Sequence, residues 1–127
     1  MNRYVIDSWA WMEYLDGSDI GRKAKVNIEG GNAFTNMVTL AEVVSRVSRG
    51  GGDADIAFNS ILSLSRIIFG DIEFTKDVGQ LHSAIKKSKS NFSLADAFAL
   101  QTARKLRAKV LTGDPDFKGI KEAEMLK

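Results

Sequence analysis

"SLADAFALQTARKLRAKVLTGDPDF", residues 93–117, decides the fold. At about 100° per residue, Ala95, Phe98, Ala99, Thr102 and Leu106 share one face, which predicts a helix over 94–108. "KVLT" (109–112) follows directly as a short β-prone run, ended by Gly113-Asp114-Pro115. A helix joined so tightly to a strand must run back along it, so the helix end nearest Lys109 lies at the bottom of the strand. Asp96, at the other end of the helix, and Asp114, just beyond the strand, are thereby placed at the same edge.

Working outward, the same alternation fills the chain. "RYVI" (3–6) predicts a strand, and "WAWMEYL" (9–15) a short helix ended by Asp16-Gly17. A polar helix is expected over 21–31, closed by paired glycines, and a second strand over 32–36. Leu40, Val43, Val44 and Val47 recur at helical spacing between Thr39 and Arg49, before "GGG" (50–52). Ile61, Leu64 and Ile68 predict a helix over 55–69, "DIEFT" (71–75) a third strand, and 77–87 a further helix. Strands alternating with helices indicate an α/β, three-layer sandwich: a central, mainly parallel sheet of four or five strands, flanked by helices on both faces.

Composition narrows the chemistry. A chain of 127 residues, 44% of them hydrophobic, suffices for one core, so residues 1–127 are expected to form a single domain. No run of 18 apolar residues occurs, and "MNRYVID" meets an acid before a secretory apolar segment could form. The expectation is a cytoplasmic protein without a membrane span. Without cysteine, thiolate chemistry and disulfides are excluded, and His82 is the single histidine. Any metal must be held by oxygen. The net charge of +2 also conceals an imbalance: with four acids committed to a metal, 18 basic residues face 12 remaining acids, a surplus that suits a polyanion. "KKSK" (86–89) and "RKLRAK" (104–109) concentrate the positive charge, though solvated helix ends would look the same.

The topology gives four acids one address. Asp7 follows the first strand, Glu42 lies early in the helix after the second, Asp96 opens its helix and Asp114 follows the last strand. All fall at the carboxyl edge of the sheet, where open α/β sheets bind ligands. Each also has a local explanation. Asp7 can cap the helix at Trp9; Thr39-Leu-Ala-Glu42 and Ser93-Leu-Ala-Asp96 spell capping boxes; Asp114 is an ordinary turn residue. Packed together, however, four carboxylates repel one another unless a cation sits among them, and an all-oxygen set suits Mg²⁺ or Mn²⁺. His82, beside Val78, Leu81 and Ile85, reads as a packed histidine, and Trp9, Trp11 and Tyr14 read as core or subunit-contact residues.

"YVIDSWAWMEYL", the glutamate of "VTLAEVVSRV", "SLADAFALQTA" and "VLTGDPDF" resemble, in order and separation, the four acidic signatures of the PIN domain. Among PIN proteins the chain is most similar to the VapC toxins of VapBC toxin–antitoxin pairs. The resemblance implies a PIN-like fold and a ribonuclease dependent on Mg²⁺ or Mn²⁺, with Asp7, Glu42, Asp96 and Asp114 as its acidic quartet. In that reading Asp7, Asp96 and Asp114 are the metal ligands, Glu42 orients a water, and Asp116 is an additional outer acid. It further implies an RNA substrate, a homodimer and a cognate antitoxin. PIN nucleases that process RNA without an antitoxin, and a non-catalytic module whose acids only cap helices, are the alternatives. Aspartate phosphatases of the haloacid-dehalogenase type need a second Asp where Trp9 stands, and receiver domains need a lysine that "TGDPDF" lacks.

Overall fold

The computed structural model describes residues 2–127. Five strands, β1 (Tyr4–Ile6), β2 (Ala33–Asn36), β3 (Arg66–Ile68), β4 (Lys109–Thr112) and β5 (Ala123–Met125), form one sheet in the order β3-β2-β1-β4-β5. Every pairing is parallel, with Ile6 opposite Leu111 and Asn36 opposite Ile68. Helices α1 (Ser8–Asp16) and α2 (Asp19–Glu29) connect β1 to β2, α3 (Met37–Arg49) and α4 (Ala54–Leu64) connect β2 to β3, and α5 (Ile72–Lys86) and α6 (Leu94–Leu106) connect β3 to β4.

Alternation along the central strands produces two cores. Val5 and Val110 turn toward α5 and α6, where they pack with Val78, Phe92, Leu100 and Phe117. Ile6 and Leu111 turn to the opposite face, against Trp11, Ile28, Val43 and Ile61 from α1 to α4. Both faces of the sheet are thus covered, which is why its central strands read as continuous apolar runs rather than as alternating ones.

Three expectations need correction. The helix predicted over 55–69 ends at Leu64, and Arg66–Ile68 is the third strand. Ser65 makes the break: its backbone is extended, and its hydroxyl turns back to the Ile61 carbonyl at 2.9 Å while meeting Thr35 Oγ1 of β2 at 2.7 Å. Residues 71–75, predicted as a strand, are instead the cap and first turn of α5. The carboxylate of Asp71 accepts the Phe74 N–H at 2.8 Å, which fixes a helix start. Ile72 and Phe74 looked like strand alternation, but they are 82% and 3% exposed because two residues span about half a helical turn and so face opposite sides. The helix expected from 39 begins at Met37, capped by Asn36, so Thr39 and Glu42 do not form a capping box. The final strand, β5, and a 3₁₀ turn at Pro115–Phe117 were not anticipated.

Candidate functional site

The strand order reverses between β1 and β4: from β1 the chain builds outward through β2 and β3, then returns to β4 on the other side. A crevice opens at the carboxyl ends of strands at such a switch point. Asp7 follows β1 there and Asp114 follows β4.

Asp7 is 4% exposed and hydrogen-bonded through both oxygens. Oδ1 accepts the Ala10 N–H at 2.9 Å, capping α1, and Oδ2 accepts the Thr112 hydroxyl at 2.6 Å. Burial pushes its carboxyl up to about 7; the two hydrogen bonds oppose this, and the nearby charges of Asp96 and Asp114 add to it. Asp96 closes a capping box with Ser93: its Oδ2 accepts the Ser93 N–H at 2.9 Å and its own N–H reaches Ser93 Oγ at 3.0 Å. Burial again raises its pKa, the Ser93 contacts lower it, and Asp114 and Glu42 raise it further. Asp114 caps the 3₁₀ turn by accepting the Asp116 N–H at 2.9 Å.

Oxygens of Asp96, Asp114 and Asp116 lie within 4.8 Å of one another. Asp7 borders this trio, within electrostatic reach of Asp96 and Asp114, and Glu42, on the second turn of α3, is within reach of Asp96. Electrostatic coupling thus links Asp7, Glu42, Asp96 and Asp114, and Asp116 joins Asp96 and Asp114 in the trio. Among the described residues none of the five is ion-paired to a lysine, arginine or histidine. The local and the collective readings are not exclusive, because Asp96 and Asp114 each spend a single oxygen on capping.

Two positioning residues escaped sequence reasoning. Thr112, fully buried at the end of β4, donates to Asp7 and accepts the Asp114 N–H at 3.0 Å, so one hydroxyl joins acids 107 positions apart. Its only signal was its place between a strand and an acid. Asn36, also fully buried, caps α3 at Val38 N and donates to Thr102 Oγ1 of α6 at 3.0 Å, tying β2 to the helix that carries Asp96. Gly113 admits Trp9 from the other side: a Cβ there would come within 2.3 Å of the indole. Trp11 is core, its indole N–H donating to Thr35 at 3.1 Å, and His82 Nε2 meets the Phe92 carbonyl at 3.1 Å.

Comparison with solved structures finds the same fold in toxin–antitoxin proteins. The VapC20 toxin of Mycobacterium tuberculosis, described as cleaving the sarcin–ricin loop, superposes with a TM-score of 0.78 at 16% identity, covering 98% of this chain and 99% of its own. VapBC2 from Rickettsia felis, bound to a DNA fragment from its promoter, gives 0.75 at 17% identity, with 98% of each chain covered. A toxin–antitoxin complex from Klebsiella pneumoniae gives 0.72 at 20% identity, with 96% of each covered. No curated protein sequence matches the chain. The model of the PIN domain matches residues 4–123, from the first residue of β1 to the first of β5, and the chain belongs to the PIN domain family.

Proposed function

We propose that this protein is a divalent-metal-dependent endoribonuclease and the toxin component of a toxin–antitoxin pair. The observation that carries the reading is the gathering of Asp96, Asp114 and Asp116 within 4.8 Å, beside the buried Asp7, none of them ion-paired among the described residues. An all-oxygen donor set of this charge fits Mg²⁺ or Mn²⁺. Asp7, Asp96 and Asp114 would hold the ion, and Asp116 adds a fourth oxygen donor close by. When bound, the ion supplies an activated water and neutralises charge on the scissile phosphodiester.

The chain's own residues have separate tasks. Thr112 holds Asp7 and the Asp114 backbone in fixed relation, so the donors are preorganised before a ligand arrives. Glu42 orients the attacking water or accepts its proton. The surplus of lysine and arginine outside the pocket steers RNA toward it, with binding that weakens steeply in salt. The toxin assignment, with a cognate antitoxin and a homodimer, rests on the likeness to VapC and VapBC structures.

The decisive variant is Asp96→Asn. It should abolish Mn²⁺-dependent cleavage of single-stranded RNA while leaving metal-free melting unchanged or higher, because the amide still caps Ser93 and removes one of the clustered charges. A second reading, a binding module without catalysis, is favoured by the capping bonds of Asp7, Asp96 and Asp114. Under it, Asp96→Asn changes neither activity nor the response of melting to Mn²⁺. Expression with and without the neighbouring reading frame tests the toxin assignment: growth arrest relieved by the neighbour is expected, and unimpaired growth in both cases would count against it.

A further inference from the structure

A second concave site lies at the opposite, amino-terminal edge of the sheet. Its volume is about 700 Å³, within the usual range of small-molecule sites. The start of β1 contributes Arg3, the start of β2 Asn32 and Phe34, the α4–β3 junction Ser65 and Arg66, and the end of α6 Leu106. Two arginines thus line one cleft, and no carboxylate lines it among the described residues. Neither arginine joins an ion pair among the described residues, whose three pairs are Arg22–Asp19, Lys76–Glu73 and Arg104–Glu122.

Both arginines are partly fixed without being neutralised. Arg3 donates one N–H to the Leu106 carbonyl at 3.1 Å, and the Arg66 guanidinium lies 5.9 Å from the centre of the Phe34 ring. A guanidinium has five N–H donors in a planar fork matched to phosphate oxygens, so most of each fork is still available. Asp7 is at the far end of β1, whose three residues span roughly 10 Å, and the other acids gather at that same opposite edge. They repel an anion from their own edge, and this edge is where one can settle.

We propose that the Arg3–Arg66 cleft binds a phosphate group, supplied by a nucleotide or by an RNA strand. The site is independent of the acid pocket and of any metal held there. The test is calorimetric titration of the protein in EDTA at low salt, with adenosine 5′-monophosphate and separately with a single-stranded oligoribonucleotide. Wild type is compared with Arg3→Gln/Arg66→Gln and with Lys23→Gln/Lys25→Gln, a control that removes the same charge from the exposed face of α2, outside both basic clusters. The arginine variant should lose tenfold or more in affinity for at least one probe, and the control less than twofold. Loss with both probes identifies a site satisfied by one nucleotide, and loss with the oligonucleotide alone identifies contacts to a strand. Failure of wild type to bind either probe, unchanged affinity in the arginine variant, or an equal loss in the control would overturn the proposal. Should the glutamine pair melt below wild type, Arg3→Lys/Arg66→Lys replaces it, since lysine keeps the charge without the fork. A threefold loss is then expected, and unchanged affinity overturns the site.

Discussion

Thr112 shows how one hydroxyl can organise a pocket of carboxylates. It has one proton to give and two lone pairs, and it uses the proton on Asp7 and one lone pair on the Asp114 N–H. Thr112→Val leaves one oxygen of a buried carboxylate and a backbone N–H without their partner, at a cost of about 1–3 kcal/mol. Thr112→Ser keeps both bonds and should lie within about 1 kcal/mol of wild type. Chemical denaturation of the two variants measures the difference, and equal losses would mean that the methyl group matters rather than the hydroxyl. Asp7, Asp96 and Asp114 could be picked from the sequence because acids beside strand ends and helix starts stand out against apolar runs. Thr112 could not, because threonine in a strand is commonplace and only the fold reveals that its hydroxyl points at an acid from another strand.

At the scale of elements, the chain was legible where apolar spacing and punctuation agreed and misread where they conflicted. The helix and strand of 93–112 were both evident, since Ser93 caps the one and Gly113 ends the other. Between 65 and 75 the apolar spacing misled: Ile61, Leu64 and Ile68 lie three and four apart, yet the hydroxyl bonds of Ser65 stop the helix first. Gly70, at φ +79°, then turns the chain into α5; a Cβ there would fall 2.5 Å from the Phe74 ring. Asp71→Ala should therefore cost about 1 kcal/mol by removing the cap of α5, whereas Ile72→Lys, fully solvated on the first turn, should be close to neutral. Melting curves of the two variants check this, and a strand at 71–75 would reverse their order. β5 went unread because three half-buried residues make too short a signal. A further element-scale expectation concerns Arg107, which ends α6 in the left-handed region at φ 53°. Arg107→Gly should raise stability by up to about 1 kcal/mol, since glycine adopts that conformation freely.

For the whole molecule, the raised pKa of Asp7 makes stability depend on pH. Its carboxyl titrates near 3.8 in the unfolded chain and at about 7 in the fold, so between these values the unfolded chain holds fewer protons. Metal-free stability should accordingly fall as pH rises from 4 to 7, by an amount on the order of a few kcal/mol, and Asp7→Asn should flatten the profile. A divalent ion binds the charged form, so Mn²⁺ should raise the melting temperature more at pH 8 than at pH 6. A melting temperature indifferent to both pH and Mn²⁺ would contradict the metal assignment. Asp7 and Asp114 also extend from neighbouring strands at the middle of the sheet, locked by the pairing of Ile6 with Leu111 and by the Asp7 N–H bond to the Leu111 carbonyl. The edges β3 and β5 can fray while this centre stays closed, so deuterium should enter the backbone amides of Asp7 and Leu111 only through near-global unfolding. The spacing of the acids is in that sense as durable as the protein itself, and thermal motion too small to unfold it has little means of spoiling the pocket.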